Sequence, residues 1–236
     1  GWELRELLVD DRAKLSPWAA SIWRTTEAKR YVVSSELMAE LGEKSEGPPE
    51  MLAVVAMPPD DTTRLPMRGN ALVAVFDRPS NPGNIGSMIR SLDAFGGDAL
   101  VVTGHAADPY DPKSVRASTG SIFSVPVIRA PSHREVLAWA EGKPVTIVGA
   151  DETGDIEITG FDFTGPTVVV IGNETSGMTA GWRASCDRVV RIPMVGSASS
   201  LNAANAATVI FYEALRQRSA GAESTGRPLQ DPPRPP

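Results

Sequence analysis

The feature that most constrains the fold is a regular alternation of apolar runs and helix-like segments over residues 71–218. The apolar runs, which predict strands, are 71–76, 99–103, 125–129, 145–150, 167–172 and 188–192. The helices predicted between and after them are 85–95, 113–123, 133–142 and 201–218. Because alternating strands and helices form parallel βαβ units, we predict an α/β domain. Its sheet is expected to be mostly parallel, with helices on both faces, since Val/Ile runs suit strands buried on both sides.

The rest of the chain is less regular. Residues 1–57 contain helix-like stretches and end in the apolar run MLAVVAM (51–57), so they are predicted to form a separate domain. The segment 58–70 is rich in Pro, Asp and Thr and is predicted to be a linker. The last 18 residues, 219–236, contain five prolines and show no apolar periodicity, so we expect a disordered tail.

Composition excludes several classes of protein. The net charge of −6 argues against a chain that holds nucleic acid by a general basic field, although local basic patches remain compatible with it. A single cysteine, Cys186, excludes an intrachain disulfide and a CxxC metal site, and two histidines argue against a His-rich metal centre. The longest apolar run is too short to span a membrane, and the charged first residues are unlike a signal peptide. We therefore expect a cytoplasmic protein without a membrane span.

A first polar motif, NPGNIGSMIR (81–90), follows the predicted strand 71–76. Gly86 would let a ligand or another backbone approach closely. The amides at the start of the next helix would suit a phosphate group. Asn84 and Arg90 give an otherwise apolar helix a polar beginning. The alternative is a purely structural turn followed by a solvated arginine.

A second motif, VVVIGNETSGM (168–178), places Gly172 and Glu174 where a buried strand ends. Gly172 would leave room for a ligand. A carboxylate at the carboxyl end of a buried parallel strand needs a polar partner, because burying an unpaired charge is costly. The alternative is a loop carboxylate that faces water.

The third motif, IPMVGSASSLNAANAATVIFYEAL (192–215), joins a strand to a long helix through a loop of small residues. Ser200 could cap the helix, which begins with Asn202 and several alanines. The alanines would allow a very close approach of another backbone, and the alternative is that they serve helix packing alone. No GxGxxG follows a strand and no GxxxxGK[ST] occurs, so neither a dinucleotide site nor a P-loop is supported.

Taken together and in this order, the three motifs resemble the signatures of the SpoU/TrmH family. Its members are S-adenosylmethionine-dependent RNA ribose 2′-O-methyltransferases of the SPOUT superfamily. The resemblance covers residues 71–218 and includes RASTG (116–120). It implies a trefoil knot at the carboxyl end of the domain, S-adenosylmethionine as cofactor, and a homodimer with the site near the subunit interface. It implies no metal.

The resemblance also assigns roles to residues. Those expected to hold the cofactor, largely through backbone groups, are Gly172, Ile192, Leu201 and, beside them, Met194. Those at the polar catalytic positions are Asn84, Arg90, Glu174, Ser200 and Asn202. Because arginine is hard to deprotonate, we expect Arg90 to clamp an RNA phosphate or ribose rather than take the proton. Glu174 could orient Arg90 or Asn84.

Residues 1–57 resemble the amino-terminal RNA-binding domain of the same family, a small α/β/α domain similar to a ribosomal protein that grips kinked RNA. The likeness lies in YVVSSELMAEL (31–41) and EMLAVVAMP (50–58), and the domain is expected to be incomplete at its amino end. The predicted activity is ribose 2′-O-methylation of structured RNA, with ribosomal RNA favoured over transfer RNA. The alternatives are a non-catalytic RNA-binding module of the same fold and an α/β enzyme acting on a small nucleotide-like substrate.

Overall fold

The computed structural model describes residues 2–42 and 47–224, with side chains described up to residue 220. The chain divides into two compact units, Gly1–Pro59 and Asp60–Pro236. The boundary therefore falls inside the segment predicted as a linker, two residues after the predicted end of the first domain.

The first unit is a small α/β fold. Its elements are β1 (Glu3–Asp10), α1 (Pro17–Thr25), β2 (Lys29–Val33), α2 (Ser35–Gly42) and β3 (Met51–Ala56). The sheet order is β2-β1-β3, with β2 parallel and β3 antiparallel to β1. Its core contains Leu7 and Val9 from β1, Ala19 from α1 and Met38 from α2.

The second unit contains the predicted alternation of strands and helices. Its strands are β4 (Leu72–Asp77), β5 (Ala99–Thr103), β6 (Val127–Ala130), β7 (Thr146–Ala150), β8 (Ile156–Glu157), β9 (Thr167–Ile171) and β10 (Arg188–Arg191). Its helices are α3 (Pro82–Ala94), α4 (Pro112–Ser118), α5 (His133–Ala140), α6 (Ala180–Ser185) and α7 (Ala203–Ser224). The sheet order is β6-β5-β4-β9-β7-β10-β8, and the paired strands are parallel.

Helices cover both faces of this sheet, which confirms the predicted fold class. Every residue of β4, β5 and β9 is buried, as expected for Val/Ile runs with a helix layer on each side. Apolar side chains of α3 and α7 pack with one set of strand residues, such as Phe76. Side chains of α5 and α6, among them Trp139 and Trp182, pack with the alternate set, such as Val75.

The sheet order reverses between β4 and β9, because β5 and β6 extend to one side of β4 whereas β7 and β10 lie beyond β9. In open parallel sheets such a reversal leaves a crevice at the carboxyl ends of the two strands, where ligands bind. Asp77 and Gly172 stand at these two strand ends. The trefoil knot stays a prediction, since strand order alone does not define how the chain threads.

Two predicted boundaries were wrong by five residues or more. The helix expected over 113–123 ends at Ser118, because Thr119 and Gly120 have left-handed backbone angles, and a separate 3₁₀ turn follows over Ser121–Phe123. The tail expected to be disordered from residue 219 instead continues α7 to Ser224. Arg218 anchors the last turns of α7 by donating to the carbonyl groups of Phe163 and Gly165. Residues 225–236 lie outside the described residues.

Candidate active site

A cavity of about 500 Å³ lies at the carboxyl ends of β7, β9 and β10. Among the nine predicted site residues, those that line it are Gly172, Glu174, Ile192, Met194, Ser200 and Leu201. They come from the second and third motifs, so the fold brings together segments separated by about twenty residues in the chain. The cavity therefore lies next to the β4–β9 reversal, on the side of β9 that carries β7 and β10, and its lining includes no residue of β4. Its place at the carboxyl ends of parallel strands is where ligands bind in open α/β sheets.

The loop after β9, residues 173–179, contributes residues 173–177 to one wall of this cavity. Asn173 and Gly177 exchange two backbone hydrogen bonds of 3.0 Å each, and the side-chain oxygen of Asn173 accepts from the amides of Thr175 and Ser176. A Cβ on Gly172 would lie 2.3 Å from the backbone of Gly177. The expectation that Gly172 leaves room for a ligand was therefore wrong, since the loop's own backbone fills that space.

Glu174 has the polar partners that its position requires. Its carboxylate accepts from the amides of Ser80 (3.1 Å) and Asn81 (3.3 Å), from the hydroxyl of Ser80, and from Asn84 Nδ2 (3.0 Å). Burial opposes ionisation of Glu174, but the hydrogen bonds from Asn84 and Ser80 outweigh it and lower the pKa of the carboxyl group. The start of α3 also favours a negative charge.

This arrangement corrects the prediction that the start of α3 would face a phosphate group. The amides of Ser80 and Asn81 already bind the Glu174 carboxylate, and the amide of Gly83 binds the side chain of Asn81. Gly86 serves close packing with another backbone, because a Cβ there would lie 2.1 Å from the carbonyl oxygen of Ser114 in α4.

Asn202 continues the hydrogen-bonded chain from Glu174 through Asn84. Its Nδ2 donates to Asn84 Oδ1 (3.1 Å), which fixes the orientation of both amide groups. Its Oδ1 accepts from the amides of Ala204 and Asn205 and caps α7. The prediction that Ser200 caps this helix was wrong, because α7 begins at Ala203 and the capping residue must directly precede it.

Arg90 does not join this group. It lies six residues after Asn84, which on a helix corresponds to a different face, and it is exposed together with Ser87 and Ala94. Within residues 2–42 and 47–224, its guanidinium makes no hydrogen bond or ion pair, and it does not line the cavity. The idea that Glu174 orients Arg90 is therefore wrong, whereas the contact of Glu174 with Asn84 is present.

The cavity-lining residues that were not predicted include Asp151, Thr153 and Arg183. Asp151 Oδ1 accepts from the amide and hydroxyl of Thr153, and Oδ2 forms an ion pair with Arg183. Burial opposes ionisation of Asp151, but the bonds from Thr153 and the charge of Arg183 lower its pKa. The signal was a carboxylate directly after the predicted strand 145–150, comparable to Glu174, which stands two residues after the predicted strand 167–172. Arg183 stands on the unpredicted helix α6.

Three alanines at the start of α7 are buried by packing within the chain. Ala203, Ala204 and Ala207 are buried in the core cluster that also contains side chains of α3. The opposite side of α7 exposes Asn205, Val209 and Tyr212. Close helix packing, the alternative raised from the sequence, therefore accounts for Ala204 and Ala207, whereas Ala203 and Ala206 also line the cavity.

One further observation concerns membranes. Over the described ranges, no helix combines the length and the apolarity that crossing a bilayer requires.

A parallel α/β sheet with a cavity at the carboxyl ends of its strands is typical of proteins that bind nucleotides or related cofactors. Residues 71–212 match the SpoU rRNA Methylase family, and residues 1–53 match the SpoU L30e-like domain. This chain belongs to the SpoU rRNA methylase family, which confirms the resemblance noted from its motifs.

Several relatives carry more specific descriptions. The 23S rRNA (uridine(2479)-2'-O)-methyltransferase of Streptomyces viridochromogenes is 55% identical over 230 residues, which are 95% of this chain and 80% of that protein. The crystal structure of the SpoU methyltransferase AviRb from the same organism, in complex with AdoMet, matches with a TM-score of 0.89 and 56% identity. That match covers 92% of this chain and 84% of the other.

A second group of relatives matches over a shorter stretch. An uncharacterized tRNA/rRNA methyltransferase of Mycobacterium sp. (strain KMS) is 40% identical over 149 residues, which are 63% of this chain. This chain spans about half of that protein, 47% of its length.

Proposed function

We propose that this protein transfers a methyl group from S-adenosylmethionine to a ribose 2′-hydroxyl of structured RNA, with ribosomal RNA as the substrate. The observation that carries the proposal is the 55% identity, over 95% of the chain, to a 23S rRNA 2′-O-methyltransferase. The similarity includes both units, and six of the nine proposed site residues of the second unit line one cavity. The proposed location is the cytoplasm, where ribosomal RNA is found.

The cavity suits the cofactor in chemistry and size. Ile192 and Leu201 offer apolar contact for the adenine, and the backbone around Gly172 offers hydrogen-bonding groups. The carboxylates of Asp151 and Glu174 complement the positive charge of a sulfonium and an ammonium group. When bound, the cofactor supplies a methyl group that its sulfonium already activates. The protein's contribution is then alignment, which can be worth about 7–11 kcal/mol in favourable cases.

The group formed by Asn84, Glu174 and Asn202 supports the ribose side of the proposal. Its amide groups are held by mutual hydrogen bonds, so they can position a hydroxyl without first reorganising. Glu174 accepts five hydrogen bonds and has a lowered pKa, both of which make it a poor proton acceptor. Its role in the proposal is therefore to hold Asn84 and the loop 173–179.

Arg90 acts on the RNA in this proposal, as a fork that contacts a phosphate or ribose. Since it does not line the cavity of its own chain, we place it in a site shared between two copies of the protein. The proposed subunit surface consists of the exposed residues of α3 and α7, including Val209 and Tyr212. A homodimer would then be required for methyl transfer but not for folding of the sheet.

The first unit is proposed to bind RNA. It exposes Trp18 and Tyr31, and the guanidinium of Arg30 lies over the ring of Trp23, 5.8 Å from its centroid. Exposed aromatic rings and arginine planes are surfaces on which unpaired bases stack.

The test is transfer of a labelled methyl group to purified 23S rRNA, 16S rRNA and total tRNA, with the product mapped by resistance of the 2′-O-methylated linkage to alkali. We expect incorporation into ribosomal RNA at a ribose. Methylation of a base, or of transfer RNA alone, would refute the proposed reaction or substrate. Cofactor binding without transfer to any RNA would favour the non-catalytic alternative.

A further inference from the structure

Arg78, the residue directly after β4, has an unusual backbone conformation. Its φ is +52°, in the left-handed region that residues with side chains seldom adopt. Its amide donates to the carbonyl oxygen of Thr103 (2.9 Å), and its own carbonyl oxygen accepts from Asn173 Nδ2 (2.6 Å). The strained residue thus joins the ends of β4 and β5 to the start of the cavity loop 173–179.

The side chain of Arg78 reaches the same loop a second time. Its guanidinium donates to the carbonyl oxygen of Gly177 (3.2 Å) and to the hydroxyl of Ser176 (3.4 Å). Both of these residues line the cavity, whereas Arg78 does not. The loop is therefore held at Asn173 by the Arg78 backbone and at residues 176–177 by the Arg78 side chain.

Asp77 contacts both the end of the loop 173–179 and the side chain of Arg78. It is only 2% exposed, and its carboxylate accepts from the amide of Thr179 (2.8 Å) and the hydroxyl of Thr103 (3.3 Å). The guanidinium of Arg78 pairs with it at 3.4 Å. Because a buried carboxylate needs a compensating charge, this ion pair ties the end of the loop at Thr179 to Arg78 as well.

We infer that Arg78 is a positioning residue, which fixes the loop 173–179 in the geometry that binds the cofactor. The strained backbone supports this role, since such conformations persist where the surrounding contacts hold them in place. The inference rests on the proposed function in one respect, namely that the ligand of the cavity is S-adenosylmethionine.

Arg78→Gly is the sharpest test, because glycine adopts the positive φ without strain and the variant removes only the side-chain contacts. We expect the Kd and KM for S-adenosylmethionine to rise tenfold or more, while kcat at saturating cofactor changes less than about threefold. Amide hydrogen exchange of residues 173–179 should become faster in the absence of any ligand. Arg78→Lys, which keeps the charge but not the planar fork, should recover part of the affinity.

The matched control is Arg68→Gly. Arg68 also pairs with an aspartate next to a strand, Asp98 at 2.9 Å, but this pair lies at the amino-terminal end of β5, whereas the cavity lies at carboxyl ends of strands. The Arg68→Gly variant should therefore leave cofactor affinity unchanged. Unaltered affinity and unaltered exchange in Arg78→Gly would overturn the inference, as would a loss confined to kcat. A wild-type protein that does not bind S-adenosylmethionine would instead overturn the proposed function, and the exchange measurement would still test whether Arg78 holds the loop.

Discussion

The cavity and the exposed face of α3 and α7 differ in how far a single chain completes them. Around the cavity, Asn84, Glu174 and Asn202 hold one another by hydrogen bonds that join three separate elements. On the helix face, Arg90 is exposed and has no polar partner within the described part of the chain. The first region is preorganised by folding, whereas the second offers groups to another molecule. Cofactor binding and methyl transfer should therefore be separable by mutation.

Arg90→Ala should have the largest effect on methyl transfer. Loss of a contact made in the transition state, worth about 2.7 kcal/mol or more, would reduce the rate by a factor of about 10² or more. Cofactor affinity should be unchanged, because Arg90 does not line the cavity. Transfer of labelled methyl and calorimetric titration with S-adenosylmethionine measure the two quantities.

Two variants sharpen the Arg90 experiment. Arg90→Lys should rescue transfer poorly, since a point charge does not replace a planar fork. Arg134→Ala removes an exposed arginine from α5, on the other face of the sheet, and should retain activity. Full activity of Arg90→Ala would show that the exposed face of α3 and α7 carries no catalytic group. The proposed difference between this face and the cavity would then not hold.

Glu174→Gln should affect both cofactor binding and transfer, by about 10- to 100-fold in kcat/KM. The estimate follows from losing hydrogen bonds to a charged acceptor, each worth about 1.5–3 kcal/mol, and from leaving donors of Ser80 and Asn84 poorly matched. Steady-state kinetics with both substrates varied gives the effect. Glu141→Gln, which changes an exposed carboxylate at the end of α5, is the control. If Glu174→Gln changed kcat alone, with cofactor affinity intact, Glu174 would act in the proton step rather than as an anchor.

Val209→Glu tests whether the helix face joins two copies of the chain. Val209 and Tyr212 are 37% and 54% exposed, and a charge between copies would oppose their association. Sedimentation at micromolar concentration should show twice the chain mass of 25.1 kDa for the wild type and a smaller species for the variant. Val54→Glu, at an exposed valine of the first unit, should not change the mass. A wild-type protein that is monomeric and still methylates RNA would contradict the proposed site shared between two copies of the chain.

The sequence predicted the sheet better than the contacts around the site. Runs such as 167–172 are continuous and apolar because both sheet faces are covered, so burial leaves a clear pattern. β8 has two residues and pairs with β10, and α6 has six residues, so both are too short to leave a periodic signal.

The partners of site residues were harder to predict than the residues themselves. The position of Glu174 after a buried strand predicted that its carboxylate needs a polar partner. The sequence did not identify the partner, because Asn84 lies 90 residues away and only the fold brings the two together. The role of Arg78 left no signal at all, because its positive φ depends on neighbours in three separate segments.

The smallest expected effect is on stability in acid, and it tests whether folding itself prepares the Glu174 group. The pKa of Glu174 is lower in the folded state than its ordinary value of 4.5, so the ionised carboxylate stabilises the fold above that pH. This contribution should disappear as the pH falls below about 4.5 and through the lower folded-state pKa. Because solvent partly screens the group, we expect it to be below about 1 kcal/mol.

Urea unfolding of wild type and Glu174→Gln at several pH values measures this contribution. The stability difference between the two proteins should be greatest near neutral pH and should shrink towards pH 3, since protonated Glu174 then resembles glutamine in charge. Other carboxylates with lowered pKa, including Asp151 and Glu213, are present in both proteins and cancel in the difference. A difference that did not vary with pH would mean that Glu174 is not selectively stabilised in its ionised form. The charge of Glu174 would then add nothing to the preorganisation of the group formed by Asn84, Glu174 and Asn202, and in this respect the group would not differ from the exposed face of α3 and α7.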